Sequence, residues 1–342
     1  MKAIHMISLL SAACVRSLFS QCDRLLTLLL LAFALPFAAP AQQGYPNKPI
    51  RMIVPLAAAS AVDSAARIVA QKMSANMGQQ IVIENIPGAS GLIGADRVAK
   101  ATADGYTLGG FNDSIMTMLP NMSTKPSWDI LRDFEPVSLV ATIEWGLVTT
   151  PDSPFKSAGD LIAAAKARPG EVNFGSGGNG SPQHIAMALF ASQAGITLTH
   201  VPYKGASQAA LGVAGGEVPV AFQGLATVVG LVRGGKLRLI GVTTPAPLPQ
   251  FPEAPTVSTS GMPGFQFNSW FTVMAPAGTL KEIIARLHAE IAKALADPEV
   301  REKLRDQGLT VRGTSPEELA VATREQLARY ARLFKEAGIK GE

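Results

Sequence analysis

The residues best placed to do chemistry lie in one run, Val172-Asn173-Phe174-Gly175-Ser176-Gly177-Gly178-Asn179-Gly180-Ser181-Pro182-Gln183-His184. It starts as a short strand, passes through four glycines and opens a helix with apolar positions at Ile185, Leu189 and Phe190. Ser181 is a good helix cap, and Pro182 stands at the first helical position, where its missing N–H costs nothing. Glycines let backbone N–H groups face inward, and a helix start adds partial positive charge. The chemistry this suits is the holding of an anion. No Asp or Glu occurs in the 45 residues between Glu171 and Glu217, where the composition of the chain would place about three or four. The alternative is a buried, alanine-rich unit that simply lacks surface carboxylates.

Enzyme readings of the same residues are incomplete. Gly175 to Gly180 matches G-x-G-x-x-G, but no carboxylate follows at the distance a dinucleotide ribose needs. Gly230 to Lys236 resembles a phosphate loop with Leu237 in place of Ser or Thr, and a strand follows it. Gly88-Ala89-Ser90-Gly91-Leu92 fails the nucleophile-elbow pattern at its last position. His184, His200 and His288 lack metal-ligand spacing. A triad of Ser176 or Ser181 with His184 and Asp63 matches no known arrangement, and His184 reads as a ligand-side donor or a structural group. No cofactor or metal is expected.

These residues need a scaffold. The chain has 342 residues, 47% hydrophobic and 16% charged, enough for two domains. Lys2, Arg16 and Arg24 precede the apolar run Leu25–Leu35 and then Ala39-Pro40-Ala41, which reads as a secretory signal peptide over residues 1–41. Both cysteines, Cys14 and Cys22, fall inside it, so the exported chain has neither disulfides nor thiolates. Within that leader the three basic residues and Asp23 account for +2 of the net +4. The remaining +2 forms no basic block, and nucleic acid is not an expected partner.

From Gln42 on, short β-rich runs alternate with helical ones, which predicts an α/β fold with mostly parallel sheets. Strands are expected at Ile50–Pro55, Gln80–Glu84, Tyr106–Phe111, Leu198–Val201, Val218–Phe222 and Leu237–Val242, and Pro136–Thr149 reads as consecutive strands that make the first crossing between domains. Helices are expected near Val62–Met77, Ala158–Ala167, Pro182–Ala194, Ser207–Ala214, Lys281–Ala296, Pro298–Gln307 and Pro316–Ala337. The prolines from Pro245 to Pro263 suit a return crossing between domains. The resulting division is 42–143 for the first part of lobe 1, 144–244 for lobe 2 and 245–342 for the rest of lobe 1. Glycine and polar loops that follow strands, Asn112-Asp113-Ser114 among them, would line the cleft between the lobes.

Motifs in a fixed order carry a resemblance. They are Tyr45-Pro46-Asn47-Lys48-Pro49-Ile50, Glu84-Asn85-Ile86-Pro87-Gly88-Ala89, Asp104-Gly105-Tyr106-Thr107-Leu108, Asp133-Phe134-Glu135-Pro136-Val137, the central glycine loop, His200-Val201-Pro202-Tyr203-Lys204-Gly205, Gly234-Gly235-Lys236-Leu237 and Ala275-Pro276-Ala277-Gly278-Thr279. The chain thereby resembles the Bug-type periplasmic substrate-binding receptors of tripartite tricarboxylate transporters. The resemblance implies a two-lobed, periplasmic-binding-protein-like α/β fold that closes on a small organic acid and delivers it to a membrane permease. It implies a monomer without enzymatic activity. Carried over, Ser176, Gly177, Asn179, Gly180, Ser181 and His184 would grip a carboxylate, with Tyr203, Lys204 and Gly205 as the neighbouring wall. Loops of the first lobe, with Ala58, Ala59, Ser60 and Asp63 and with Asn112, Asp113 and Ser114, would sense the rest of the ligand.

Two departures bear on the ligand. Leu56-Ala57-Ala58-Ala59-Ser60-Ala61-Val62-Asp63 stands where the family's first loop is rich in proline and glycine, and Phe222-Gln223 stands where the family commonly has Asp. Both make the expected pocket less polar. The expectation is a mono- or dicarboxylate with an apolar body, an aromatic one such as a benzene dicarboxylate included. Met116, Met118, Phe222 and Trp270 are candidates for its apolar wall, or else ordinary core. The readings from other classes are a secreted serine hydrolase and a sensing module for a membrane signalling protein.

Overall fold

The computed structural model describes residues 44–122 and 126–336. The expected signal peptide lies outside these residues. Among the described residues, ten strands and nine α-helices form an α/β, two-lobed arrangement in which β4 takes part in both a larger and a smaller sheet.

The first elements alternate. Strand β1 (Ile50–Val54) runs into helix α1 (Ala61–Met77), strand β2 (Ile81–Asn85), helix α2 (Leu92–Ala99) and strand β3 (Thr107–Phe111). Helix α1 starts where the Ser60 hydroxyl accepts the Asp63 N–H and stops at Gly78 in a left-handed conformation, φ 67°. Strand β4 (Phe134–Thr149) is a single run of 16 residues, buried along almost its whole length. Beyond it come α3 (Ala158–Ala167), β5 (Asn173–Ser176), α4 (Pro182–Ala194), β6 (Thr199–Pro202), α5 (Ala206–Ala214), β7 (Ala221–Gly224), α6 (Leu225–Arg233) and β8 (Arg238–Val242). The chain ends with β9 (Asn268–Pro276), α7 (Lys281–Ala296), α8 (Pro298–Asp306), β10 (Leu309–Val311) and α9 (Pro316–Glu336).

The larger sheet has the order β10-β4-β9-β3-β1-β2. β1 pairs parallel with β2 and β3, whereas β3/β9, β4/β9 and β4/β10 are antiparallel. The sheets are therefore mixed, not mostly parallel. The reason is β9, which runs antiparallel between β4 and β3 in the larger sheet. β9 and β10 were not expected from the sequence.

Strand β4 changes partners midway. Up to Glu144 it pairs with β9, and from Trp145 on it pairs with β7 and β8 in the smaller sheet. β5 and β6 pair parallel, and Phe174 bridges to Val220 beside β7. The proline-rich stretch packs on the smaller sheet's side. Gly159 N–H donates to the Ser260 carbonyl at 2.8 Å, and Phe265 packs on Phe190 and Phe222. Helix α9 buries Leu319, Thr323, Gln326, Tyr330 and Phe334 along one face, at the three- and four-residue spacing of an amphipathic helix. It packs against β4 and the buried turn Ser114–Met118. No helix among the described residues is long and apolar enough to cross a membrane.

Candidate functional site

A cavity of about 680 Å³ lies between loops that follow β1, β2, β5, β6 and β7. These loops end in the first turns of five helices, and all five starts line the cavity. α1 contributes Ser60 and Ala61, α2 Gly91 and Leu92, α4 Ser181 and Gln183, α5 Gly205 and Ala206, and α6 Gly224 and Thr227. First-turn amides have no partners within their own helix, and each helix start carries partial positive charge. The one charged residue in the lining is Lys204; no Asp or Glu is among its residues. Such a lining favours an anion.

The loop after β1 is held from behind. Asp63 accepts the Ala59 N–H at 2.9 Å and the Arg67 guanidinium at 3.1 Å, and its other oxygen accepts from Asn85 at 2.9 Å. Burial alone would raise the Asp63 pKa, but Arg67, Asn85 and the Ala59 amide together hold it below the ordinary value. Asp63 therefore braces the loop and does not line the cavity. Ala58 and Ala59 are exposed on the loop's outer side, and Leu56 and Ala57 face the cavity in their place. Ala59 has φ 58°, a left-handed conformation that costs an alanine about 1–2 kcal/mol.

Behind the glycine loop sits a stack of rings. His184 and His200 are parallel with centroids 4.2 Å apart, and Phe174 stacks beside both, at 4.9 Å from His200 and 6.3 Å from His184. The His184 Nδ1 accepts the Gly180 N–H at 3.1 Å, and the Ser176 hydroxyl accepts the Gly178 N–H at 3.0 Å while bonding His200 Nε2. Burial, with the neighbouring His184 adding to it, lowers the His200 pKa to about 4. Ser176 is fully buried, and it and His184 accept backbone N–H groups of the glycine loop and so shape it. Ser181 lines the cavity, but its hydroxyl already caps α4 through the His184 N–H at 3.4 Å.

Of the expected residues, Ser60, Asn112, Gly177, Asn179, Gly180, Ser181, Tyr203, Lys204 and Gly205 line the cavity. The Tyr203 hydroxyl donates to Glu217 at 2.9 Å. Asp113 and Ser114 do not line it. Asp113 is fully buried, accepts the Trp270 N–H at 3.2 Å and is pushed up to a pKa of about 7 by burial. The Ser114 hydroxyl donates to Asn112 Oδ1 at 3.0 Å. Phe222 packs in the core against Phe190 and Phe265, and Gln223 is buried behind Gln183.

The candidate apolar wall is also elsewhere. Met116, Met118, Phe222 and Trp270 are core residues outside the lining, because the turn Ser114–Met118 tucks both methionines under α9 and β9. The wall instead consists of Leu56, Leu92, Leu119, Met122, Ile143 and Trp145. Trp145 is fixed by its indole N–H, which donates to the Ser269 hydroxyl at 2.9 Å.

Contacts join the two sides of the cavity at its rim. The Ser90 hydroxyl donates to the Asn179 carbonyl, and the Ser207 hydroxyl donates to the Ala58 carbonyl at 3.1 Å. Gly180, with φ 74°, lies so close to Leu119 and Met122 that a Cβ there would sit 2.8 and 3.0 Å from them.

Comparison with known proteins agrees with this geometry. The family model described as the tripartite tricarboxylate transporter family receptor, TctC, matches residues 65–339. Protein BugT of Bordetella pertussis is 36% identical over 298 residues, 86% of this chain and 91% of that protein. The solved structure of R. palustris Rpa4515 with adipate shares 34% identity at a TM-score of 0.84, over 86% of this chain and 99% of that one. MatC (Rpa3494) from Rhodopseudomonas palustris with bound malate shares 28% identity at a TM-score of 0.80, over 84% and 99%. The chain belongs to the receptor family of the tripartite tricarboxylate transporters and is a receptor of the Bug type.

Proposed function

We propose that the chain is a periplasmic receptor that closes around one small organic carboxylate and hands it to the membrane permease of a tripartite tricarboxylate transporter. The observation that carries this reading is the lining: five helix starts and Lys204 converge on a cavity bordered by no carboxylate. The adipate and malate named with the two Rhodopseudomonas receptors support a carboxylate of four to six carbons or thereabouts. Leu119, Met122, Ile143 and Trp145 support an apolar body on that ligand, aliphatic or aromatic, with a benzene dicarboxylate among the candidates. The receptor acts as a monomer, without chemistry on the ligand.

Lobe 1 is assigned to the larger sheet and lobe 2 to the smaller, with the hinge at Glu144–Trp145 and Phe267–Asn268. The change of partners in β4 and the packing of Phe265 support those positions. In this reading the second boundary is taken at Asn268 and not at residue 245. Closure is a population shift, driven by contacts that exist only when both lobes touch the ligand. The hydrolase alternative lacks a presented nucleophile, because Ser176 is buried and Ser181 is engaged as a cap.

Titration calorimetry with succinate, malate, citrate, adipate, benzoate and phthalate tests this reading. Tight binding of one or more apolar-bodied acids is the expected outcome. Tight binding of citrate or malate alone would remove the apolar-body part. A chain that binds none of the six, yet turns over an ester, would overturn the receptor.

A further inference from the structure

Gln183 and Gln223 form a pair of side-chain amides at the inner wall of the cavity. Gln183 is the second residue of α4, is 4% exposed and lines the cavity; Gln223 lies behind it in β7 and is fully buried. The Gln183 Nε2 donates to the Gln223 Oε1 at 3.3 Å. This leaves the Gln223 Nε2 buried without a hydrogen-bond partner among the described residues, an unfavourable state for an N–H donor. It also turns the Gln183 Oε1 toward Gly177, where a Cβ on that glycine would meet the oxygen at 3.3 Å. Gly177 lines the cavity as well, so the outward end of the Gln183 amide borders the space where an anion would sit.

The two ends of a side-chain amide have the same shape, and hydrogen-bond partners decide which faces where. If both amides rotate by a half turn, the Gln223 Nε2 donates to the Gln183 Oε1. The Gln183 NH₂ then faces the cavity. The buried orphan becomes a carbonyl oxygen, which is tolerated better than an orphaned N–H. A carbonyl oxygen repels a bound carboxylate, whereas an NH₂ donates to it. An arriving anion therefore selects the rotated pair. A carboxylate at position 223 could only accept, and would pin the Gln183 NH₂ inward. Glutamine there leaves both senses open.

We propose that Gln183 is a ligand-binding residue that donates an N–H to the bound carboxylate, and that Gln223 is the positioning residue that permits its amide to rotate. This rests on the anion-receptor reading. It adds a side-chain donor, controlled from behind the wall, to the backbone amides of the helix starts.

The test uses calorimetric titration and thermal unfolding of the unaltered chain, Gln183→Leu, Gln183→Glu and Gln223→Glu. The probe is whichever of succinate, malate, adipate, benzoate and phthalate stabilises the unaltered chain most. Loss of one hydrogen bond to a charged group should weaken binding by Gln183→Leu about 10- to 100-fold, with the unliganded unfolding midpoint little changed. Gln183→Glu should bind weakly at pH 7.5 and recover part of the loss at pH 5.5, because a carboxyl buried beside the carboxylate of the ligand keeps its proton above the ordinary glutamate range and can then donate it. Gln223→Glu should weaken binding although it touches no ligand, and Gln223→Met should restore part of it by freeing the Gln183 amide. If Gln183→Leu fails to fold, the pH profile of Gln183→Glu decides. Unchanged affinity in Gln183→Leu, or a flat pH profile in Gln183→Glu, would overturn the assignment while leaving the receptor intact. If none of the acids binds even the unaltered chain, the anion-receptor reading itself falls, and this assignment with it.

Discussion

The Ser207 hydroxyl donates to the carbonyl of Ala58 at 3.1 Å, joining residues 149 positions apart. Ser207 lies in the first turn of α5 and Ala58 in the loop after β1, so the bond ties the two sides of the cavity together. The Ser90–Asn179 bond does the same elsewhere on its rim. A neutral hydrogen bond of this kind contributes about 0.5–1.5 kcal/mol. Ser207→Ala is therefore expected to weaken ligand binding about two- to tenfold, with a faster release rate, as measured by calorimetry and stopped-flow. Adding Ser90→Ala should deepen the loss. Equal affinity in both variants would mean that these bonds do not hold the closed form.

Gly180 is expected to be intolerant of any side chain. Its φ of 74° is strained for an L-residue, and a Cβ would press on Leu119 and Met122 at 2.8 and 3.0 Å. Overpacking of this type costs about 1–3 kcal/mol. Gly180→Ala should lower affinity by at least about tenfold, because the obstruction falls where the two sides meet. Small-angle scattering with ligand should show a less compact particle than the unaltered chain gives.

His200 gives the chain an acid sensitivity. Its pKa is lowered from 6.5 to about 4 in the fold, by burial first and by His184 second. Between those values the unfolded chain binds a proton that the folded chain refuses, so stability falls as pH drops from about 6.5 toward 4. Asp63, held below its ordinary value, adds its own loss only at lower pH. His200→Phe keeps the ring stack on Phe174 and removes the titration. Its unfolding midpoint should be flatter between pH 7 and pH 5 than that of the unaltered chain; parallel curves would contradict the assignment.

Asp113 acts in the opposite direction. Burial raises its pKa from 3.8 to about 7, so the folded chain keeps a proton that the unfolded chain has lost. Stability from this group is full below about pH 4 and declines as pH rises through 7. Its Oδ1 accepts the Trp270 N–H, and its Oδ2 has no partner among the described residues. Asp113→Asn keeps the acceptor and removes the buried charge. It should raise stability at pH 8 by about 1–3 kcal/mol, with the gain shrinking steadily toward pH 4. Equal stability of the two chains at pH 8 would show that the carboxyl has another partner.

The sequence made some of this legible, and the physics says which parts. Helix α4 could be read to the residue, because Ser181 and Pro182 mark its start and the run ends at Ala194 before Gly195. The glycine loop was legible for the same local reasons. Strand β9 was not: Asn268–Pro276 follows a proline-rich stretch and precedes three helices, and its burial on both faces leaves no alternation to read. The apolar wall was missed because nothing along the chain links Met122 to Gly180; only their meeting across the cavity does. Trp145 at the point where β4 changes sheets carried a signal, an aromatic within the segment Pro136–Thr149 expected to make the first crossing. Asp63 shows the remaining difficulty. A carboxylate at a helix start can face a ligand or brace a loop, and Arg67 and Asn85, the latter 22 positions away, decide for the brace.

The most direct test of the central claim, a closed anion site formed by helix starts, is thermal unfolding of the chain from Gln42 onward against a panel of carboxylates. A ligand at about one hundred times its dissociation constant should add roughly 2.7 kcal/mol of stability, a shift of several degrees. The expected result is a large shift with one chemical group of acids, abolished when the same acids are supplied as their neutral methyl esters. A chain whose midpoint moves equally with acid and ester, or with neither, would contradict it.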